Sequence, residues 1–241
     1  MRQFFKDIIK RIVFSFITHP SEYIKNSYSQ AGEDAIIRFL FDSKKIKNPT
    51  YLDLGVYLPD YHNNTYLFYK LGARGVLVEA DESLINRIKQ ARPGDKVLNI
   101  GVGVTDLSSS DFYIFNEPAL NTFNREEAIH RENHGTYKIV KISHVSLKSI
   151  NGIIIENFRT YPDFLSVDLE GLDLSVLKSL NFQKFPIPVI CAETCTYSEN
   201  HIKTKNNDLV DWMISQGYFV YGDTYINTIF VNNKWFKSST P

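Results

Sequence analysis

Five carboxylates stand where chemistry could be done. Asp53 lies in TYLDLGVYLPD (50–60), Glu79 in GVLVEA (75–80), Asp168 and Glu170 in DFLSVDLEG (163–171), and Glu193 in PVICAET (188–194). Each sits at or near the end of an apolar run. A carboxylate taken out of water is costly unless something pairs with it, so each needs a partner. Asp168 and Glu170 are two residues apart, and if the strand persists they face one side. Two carboxylates on one side can share a hard cation such as magnesium or calcium, with Glu193 as a third ligand. They can also divide the work of base and orienter for a weak nucleophile such as an alcohol. A bland reading stands beside these, in which Glu170 caps the helix that follows and Asp168 meets a backbone amide. His62, in the first loop, is another candidate base.

These acids need elements to hold them. From Thr50 the chain alternates between apolar strand candidates and helical patterns. YLDLG is followed by a helix in NNTYLFYKLG, with Asn63 or Asn64 as its cap. GVLVEA is followed by SLINRIKQA, capped at Ser83, and then by a third strand, KVLNIGVG (96–103). DFYIFNE (111–117) and YKIVKISHVSL (137–147) alternate as an antiparallel excursion would. DFLSVDLEG, a helix over 172–182, PVICAET, a helix over 207–217 and two closing strands complete the order. This predicts an α/β fold: a doubly wound, mostly parallel, Rossmann-like sheet of about seven strands, with one antiparallel strand near the C-terminus. Such a sheet binds its ligand outside the carboxyl ends of its strands, where Asp53, Gly55, Glu79, Gly101, Asp168, Glu170 and Glu193 fall.

The ligand does not look like a phosphate, which wants glycine amides and positive charge. The loop Gly55-Val56-Tyr57-Leu58-Pro59 has one glycine and no Lys or Arg. A dinucleotide fingerprint needs glycine at positions 57 and 60, where Tyr57 and Asp60 stand. GVGVTD (101–106) lacks the third glycine. A cationic ligand suits the acids better. S-adenosylmethionine carries a sulfonium, an ammonium and a ribose diol. Asp53 could neutralise the ammonium side, Glu79 accept the ribose hydroxyls, and Tyr57 with the backbone after Gly55 approach the sulfonium. Gln30 and Glu33, in SQAGED (29–34), either open a helix with an acidic first turn or fold over the methionine end.

SQAGED, then YLDLG (51–55), NNTYLFYKLGARGVLVEAD (63–81) and SVDLEGLD (166–173), in this order, resemble the FkbM-type methyltransferases from about Ser29 to Glu193. The resemblance implies a class I methyltransferase fold and S-adenosylmethionine as donor. It also implies O-methyl transfer to a sugar hydroxyl or a polyketide-type alcohol. A histidine common in the family's first loop is Leu58 here. The expected cofactor residues are Gln30, Glu33, Asp53, Gly55, Tyr57, Asn64, Glu79, Asp81, Gly101 and Val102. The expected catalytic residues are Asp168, Glu170 and His62. Two other readings remain beside the methyltransferase: a nucleotide-dependent oxidoreductase, against which the missing glycines count, and a non-catalytic scaffold on the same fold.

The chain has 241 residues, with 27 Lys+Arg against 27 Asp+Glu. Zero net charge and no long basic run argue against nucleic acid as a partner. Cys191 and Cys195 are too far apart along a strand to bridge, which fits a reducing cytoplasm. Residues 21–241 read as one domain. Residues 1–20 carry Phe4, Phe5, Ile8, Ile9, Ile12 and Phe16 at helical spacing, with Lys6, Asp7, Lys10 and Arg11 largely opposite. That amphipathic helix would pack on the domain, on a second subunit, or on the inner face of a membrane.

Overall fold

A computed structural model describes residues 26–104, 108–134, 136–195 and 204–238. The expected N-terminal amphipathic helix lies outside the described residues. Among the described residues the central sheet has seven strands in the order β3-β2-β1-β7-β8-β10-β9. They are β1 Tyr51–Leu54, β2 Gly75–Val78, β3 Lys96–Leu98, β7 Phe164–Val167, β8 Val189–Glu193, β9 Tyr218–Asp223 and β10 Asn227–Asn232. Strands β1, β2, β3, β7 and β8 pair in parallel, and β10 runs antiparallel to both β8 and β9. The order reverses between β1 and β7, which puts the switch point beside Asp53 and Asp168.

The sheet is apolar on both faces because helices cover both. Alternation along each strand divides the core in two. Leu52, Leu54, Val76, Val78, Leu165 and Val167 face helices α5 Ile150–Asn157, α6 Asp173–Ser179 and α7 Asn207–Ser215. Tyr51, Leu77, Phe164, Val189 and Cys191 face α1 Glu33–Ser43, α2 Tyr66–Lys70, α3 Glu82–Ala91 and the closing helix α8 Asn233–Lys237. Among the described residues Cys191 and Cys195 form no disulfide. Among the described residues no helix is long and apolar enough to cross a membrane.

The stretch 96–103 is not one strand. It breaks after Leu98, and β4 Gly101–Gly103 joins a second sheet of order β4-β6-β5, with β5 Ser109–Phe115 and β6 Ile139–Ser149. Two contacts explain the break. Asn99 Nδ2 donates to the carbonyls of Glu79 (3.0 Å) and Ala80 (3.2 Å), which serves the backbone just past β2. Gly101 then slides under Phe123 and Leu147, where a Cβ would lie 2.3 Å from the Phe123 ring. The antiparallel excursion is present as β5 paired with β6. Between them lie a 3₁₀ turn, Pro118–Leu120, and helix α4, Arg125–His134. Two expected caps differ: α2 starts after Thr65, not at Asn63 or Asn64, and α3 is capped by Asp81, whose side chain accepts from Ser83 N.

Candidate active site

The carboxyl ends of β1, β2, β7 and β8 open into a cavity of about 740 Å³, within the roughly 300–1,000 Å³ of small-molecule sites. The central sheet forms its floor and the second sheet with α4 forms one wall. Of the residues expected at the site, Gln30, Gly55, Tyr57, His62, Glu79, Gly101, Val102, Asp168, Glu170 and Glu193 line it.

Glu79 is buried where β2 ends. Its Oε2 accepts from Tyr57 N and its Oε1 from Asp81 N, both at 2.8 Å. Burial pushes its carboxyl up from the ordinary value, against the pull of those amides. Two amides use only part of a carboxylate's acceptor capacity, so two hydroxyls of a ribose can still donate to it. The loop that delivers Tyr57 is bent tightly, with Gly55 at φ +81° and Tyr57 at φ +48°. Gly55 N and Val56 N continue the ladder to Val78 O. This set fits S-adenosylmethionine: a buried acceptor for the ribose, backbone at close range, and Gln30 at the rim. Glu79→Ala is expected to weaken its binding by on the order of 2–4 kcal/mol through two lost charged hydrogen bonds. Wild-type affinity should itself decline as pH falls through the raised Glu79 pKa. Calorimetric titration checks both, and unchanged affinity in the variant would remove Glu79 from the site.

Four expected cofactor residues do not line the cavity. Asp53 meets protein instead: its Oδ2 accepts from Thr65 Oγ1 (2.7 Å) and Asn63 Nδ2 (3.0 Å), with Arg92 Nη1 at 3.9 Å. Arg92 is fully buried, pairs Asp95 through Nε at 2.8 Å, and donates to Asn63 Oδ1 and Thr65 Oγ1. Asp53 therefore braces the loop beside the cavity. Glu33 Oε1 accepts from Thr224 Oγ1 (2.7 Å) and Asn227 Nδ2 (2.9 Å). Burial would raise its carboxyl, but those bonds and the Ala31 amide prevail and hold it low. It ties α1 to the β9–β10 turn. Asn64 donates to Ser166 Oγ, and Asp81 caps α3 while accepting from Asn121 Nδ2.

At the other end of the cavity Asp168, Glu170 and Glu193 converge, each offering an oxygen within 4.8 Å of the others. β7 has ended at Val167, and a sharp turn brings them together: Glu170 has φ +48° and Gly171 φ +98°. A Cβ on Gly171 would meet Glu127 Oε2 at 2.7 Å. The capping role considered for Glu170 is not seen: α6 has Leu172 at its N-cap with no side-chain cap, and Asp173 in its first turn accepts from Leu169 N (3.0 Å) and Gly171 N (3.3 Å), bracing the turn before the helix. Glu170 Oε2 instead accepts from Arg131 Nη2 at 3.1 Å. Burial, then repulsion from Glu193, pushes Glu170 up to about 8 against the attraction of Arg131. Burial and Glu193 likewise push Asp173 up to about 7. The oxygen donor set suits a hard cation by type, yet one Glu170 oxygen is already engaged by a guanidinium. His62 lines the cavity with its ring stacked on Tyr61 at 3.9 Å.

The opposite wall was not foreseen. Phe112, Leu120, Thr122, Phe123, His134 and Tyr137 all come from the second sheet, its 3₁₀ turn and the two ends of α4. They share no spacing that would mark them; only the position of the excursion just after the third strand hints at a covering element.

A doubly wound sheet with one reversed strand beside its edge, and a buried acid after its second strand, make up the class I methyltransferase fold. The family model for the methyltransferase FkbM domain matches residues 53–220, and the chain belongs to that family. No curated protein matches the sequence. Among solved structures the chain is similar to the Burkholderia thailandensis 1,6-didemethyltoxoflavin-N1-methyltransferase with bound 1,6-didemethyltoxoflavin and S-adenosylhomocysteine. That likeness has 9% identity and a TM-score of 0.45, over 96% of this chain and 89% of that one. It is also similar to a TehB-like S-adenosylmethionine-dependent methyltransferase from Corynebacterium glutamicum, with 11% identity, TM-score 0.41, and 94% and 97% coverage. An O-methyltransferase from Bacillus cereus in complex with S-adenosylhomocysteine gives 10%, 0.42, 88% and 86%.

Proposed function

We propose that this methyltransferase acts on a hydroxyl oxygen of a sugar, in a cell-surface polysaccharide or a precursor of one. The observation that supports this most is the meeting of Asp168, Glu170 and Glu193 opposite the rings of Phe112, Phe123 and Tyr137. Carboxylates accept hydrogen bonds from several hydroxyls at once, and aromatic rings give an apolar bed for the faces of a sugar ring. Held beside Glu79 and the Gly55–Tyr57 loop, S-adenosylmethionine would supply a methyl group activated by its positive sulfur.

The chain's own part is alignment and proton removal. Glu79 and the loop from Gly55 to Tyr57 fix the donor end of the cavity. Asp168, the most exposed of the three acids, orients the acceptor. Glu170 in its ionised form takes the hydroxyl proton, and its raised carboxyl makes it a stronger base than an ordinary glutamate. The wall from the second sheet excludes water and sets the acceptor's approach.

Asp168→Asn and Glu170→Gln keep shape and remove charge. Each should bind S-adenosylmethionine to within a few fold of wild type. Methyl incorporation should fall by about 100-fold or more. The measurement is transfer of labelled methyl into a glycan fraction, alongside a donor titration. Normal turnover in both variants would move the proton acceptor to His62 or Glu193. Label arriving on nitrogen or on a non-carbohydrate product would sink the sugar reading.

A further inference from the structure

Arg131 is 1% exposed, in the last turn of α4, a helix with only Ala128 and Ile129 as apolar residues. Its guanidinium touches three separate parts of the site. Nη1 donates to the Leu120 carbonyl at 2.6 Å, and Nη2 donates to Glu127 Oε1 at 2.6 Å and to Glu170 Oε2 at 3.1 Å. The Thr122 hydroxyl donates to the Glu170 carbonyl at 3.4 Å. Glu170 holds a left-handed backbone, which L side chains rarely adopt and which persists only where surrounding contacts enforce it. Asp173 holds the amides on either side of it, and α4 with the segment before it supplies the contacts to Glu170 itself.

We infer that Arg131 is a positioning residue for Glu170 and the resident cation of the Asp168–Glu170–Glu193 cluster, standing in the role a divalent ion would otherwise fill. A planar, permanently charged fork suits this position. It can hold Glu170 with one nitrogen while anchoring Leu120, part of the facing wall, with another. It turns one Glu170 oxygen away from any ion that the other two acids could bind, and its charge repels that ion at short range. Glu127 completes the arrangement: paired with Arg131 on one oxygen, it packs the other against Gly171. The inference rests on reading this cluster as the acceptor end of the cavity, but its test needs no acceptor and no turnover.

The test is titration of the full chain with Mn²⁺, followed by electron paramagnetic resonance, for wild type, Arg131→Lys, Arg131→Gln and the double variant Arg131→Gln/Asp168→Asn. Donor affinity and circular dichroism report that each is folded. Wild type and Arg131→Lys should bind Mn²⁺ weakly. Arg131→Gln, which keeps a polar side chain but no charge, should bind at least about tenfold tighter, because a unit charge close to the ion is gone. The double variant should lose that gain. A structural role alone would alter melting but create no Mn²⁺ site. A folded Arg131→Gln without the gain would overturn the inference. Should that variant fail to fold, the wild-type arm decides: tight, stoichiometric Mn²⁺ binding by wild type that Asp168→Asn abolishes overturns it, and wild-type binding no tighter than that of Asp168→Asn supports it. Normal methyl transfer by Glu170→Gln would count against the catalytic reading without touching this one.

Discussion

Arg92→Met should lower the unfolding free energy by about 3–5 kcal/mol, because removing one partner strands buried charge. Asp53 and Asp95 both face Arg92 with almost no access to water. Asp95 also accepts from the Tyr51 hydroxyl (2.7 Å) and Gly75 N (2.9 Å), so its position is fixed and it cannot turn outward. The guanidinium lies over the rings of Tyr51 and Tyr69, at 5.2 and 5.3 Å. Methionine fills the volume and replaces none of these interactions. Urea denaturation should show a lower midpoint with an unchanged slope. The loop from Asn63 to Thr65 loses its brace as well, so donor affinity should fall with stability. A loss below about 1 kcal/mol, the worth of an exposed pair, would mean that water reaches the network.

Gly55→Ala should abolish donor binding in calorimetry and lower the melting temperature. The glycine's φ of +81° strains any residue with a side chain. Space is the larger obstacle: an added Cβ would stand 1.8 Å from the backbone oxygen of Asp168. That oxygen belongs to the main chain and cannot swing aside, so the loops after β1 and β7 must part. Asp168 N donates to Leu54 O at 3.0 Å, and this link would be the first to break. The donor loop and the acid cluster would then lose their mutual register. Wild-type affinity in the alanine variant would show that the two loops are independent.

The sheet was legible because its strands are short apolar runs ended by Gly or an acid, a pattern few alternatives produce. The acids at the strand ends were legible for the same reason, since a carboxylate inside an apolar run demands a partner. What the sequence does not display is which partner. Asp53 and Glu79 look alike on paper, yet one meets Arg92 from α3's end and the other faces the cavity. That difference is made by Arg92, distant in sequence and silent in any local pattern. Helix α4, REEAIHRENH, buries little beyond Ala128 and Arg131, so it shows no apolar stripe. Helix α5, INGIIIEN, has the β-branched run and internal glycine of a non-helix; Ser149 capping Gly152 N and burial of Ile150, Ile153 and Ile154 override that preference.

The break after Leu98 has a bearing on descent. From Gly101 to Ser149 one length of chain builds the small sheet and supplies a wall of the cavity, while Glu79 and the loop from Gly55 to Tyr57 at the donor end come before it. What is inherited together on that length can be exchanged together. Recombination with ends near Asn99 and Ile150 would pass a new wall between relatives as a cassette and leave Glu79 and the Gly55–Tyr57 loop in place, provided that Gly101, Val102 and Arg131 travel with it and Arg131 finds a Glu170 to hold. A lineage could then change what it methylates in one event, where scattered contacts would have required many.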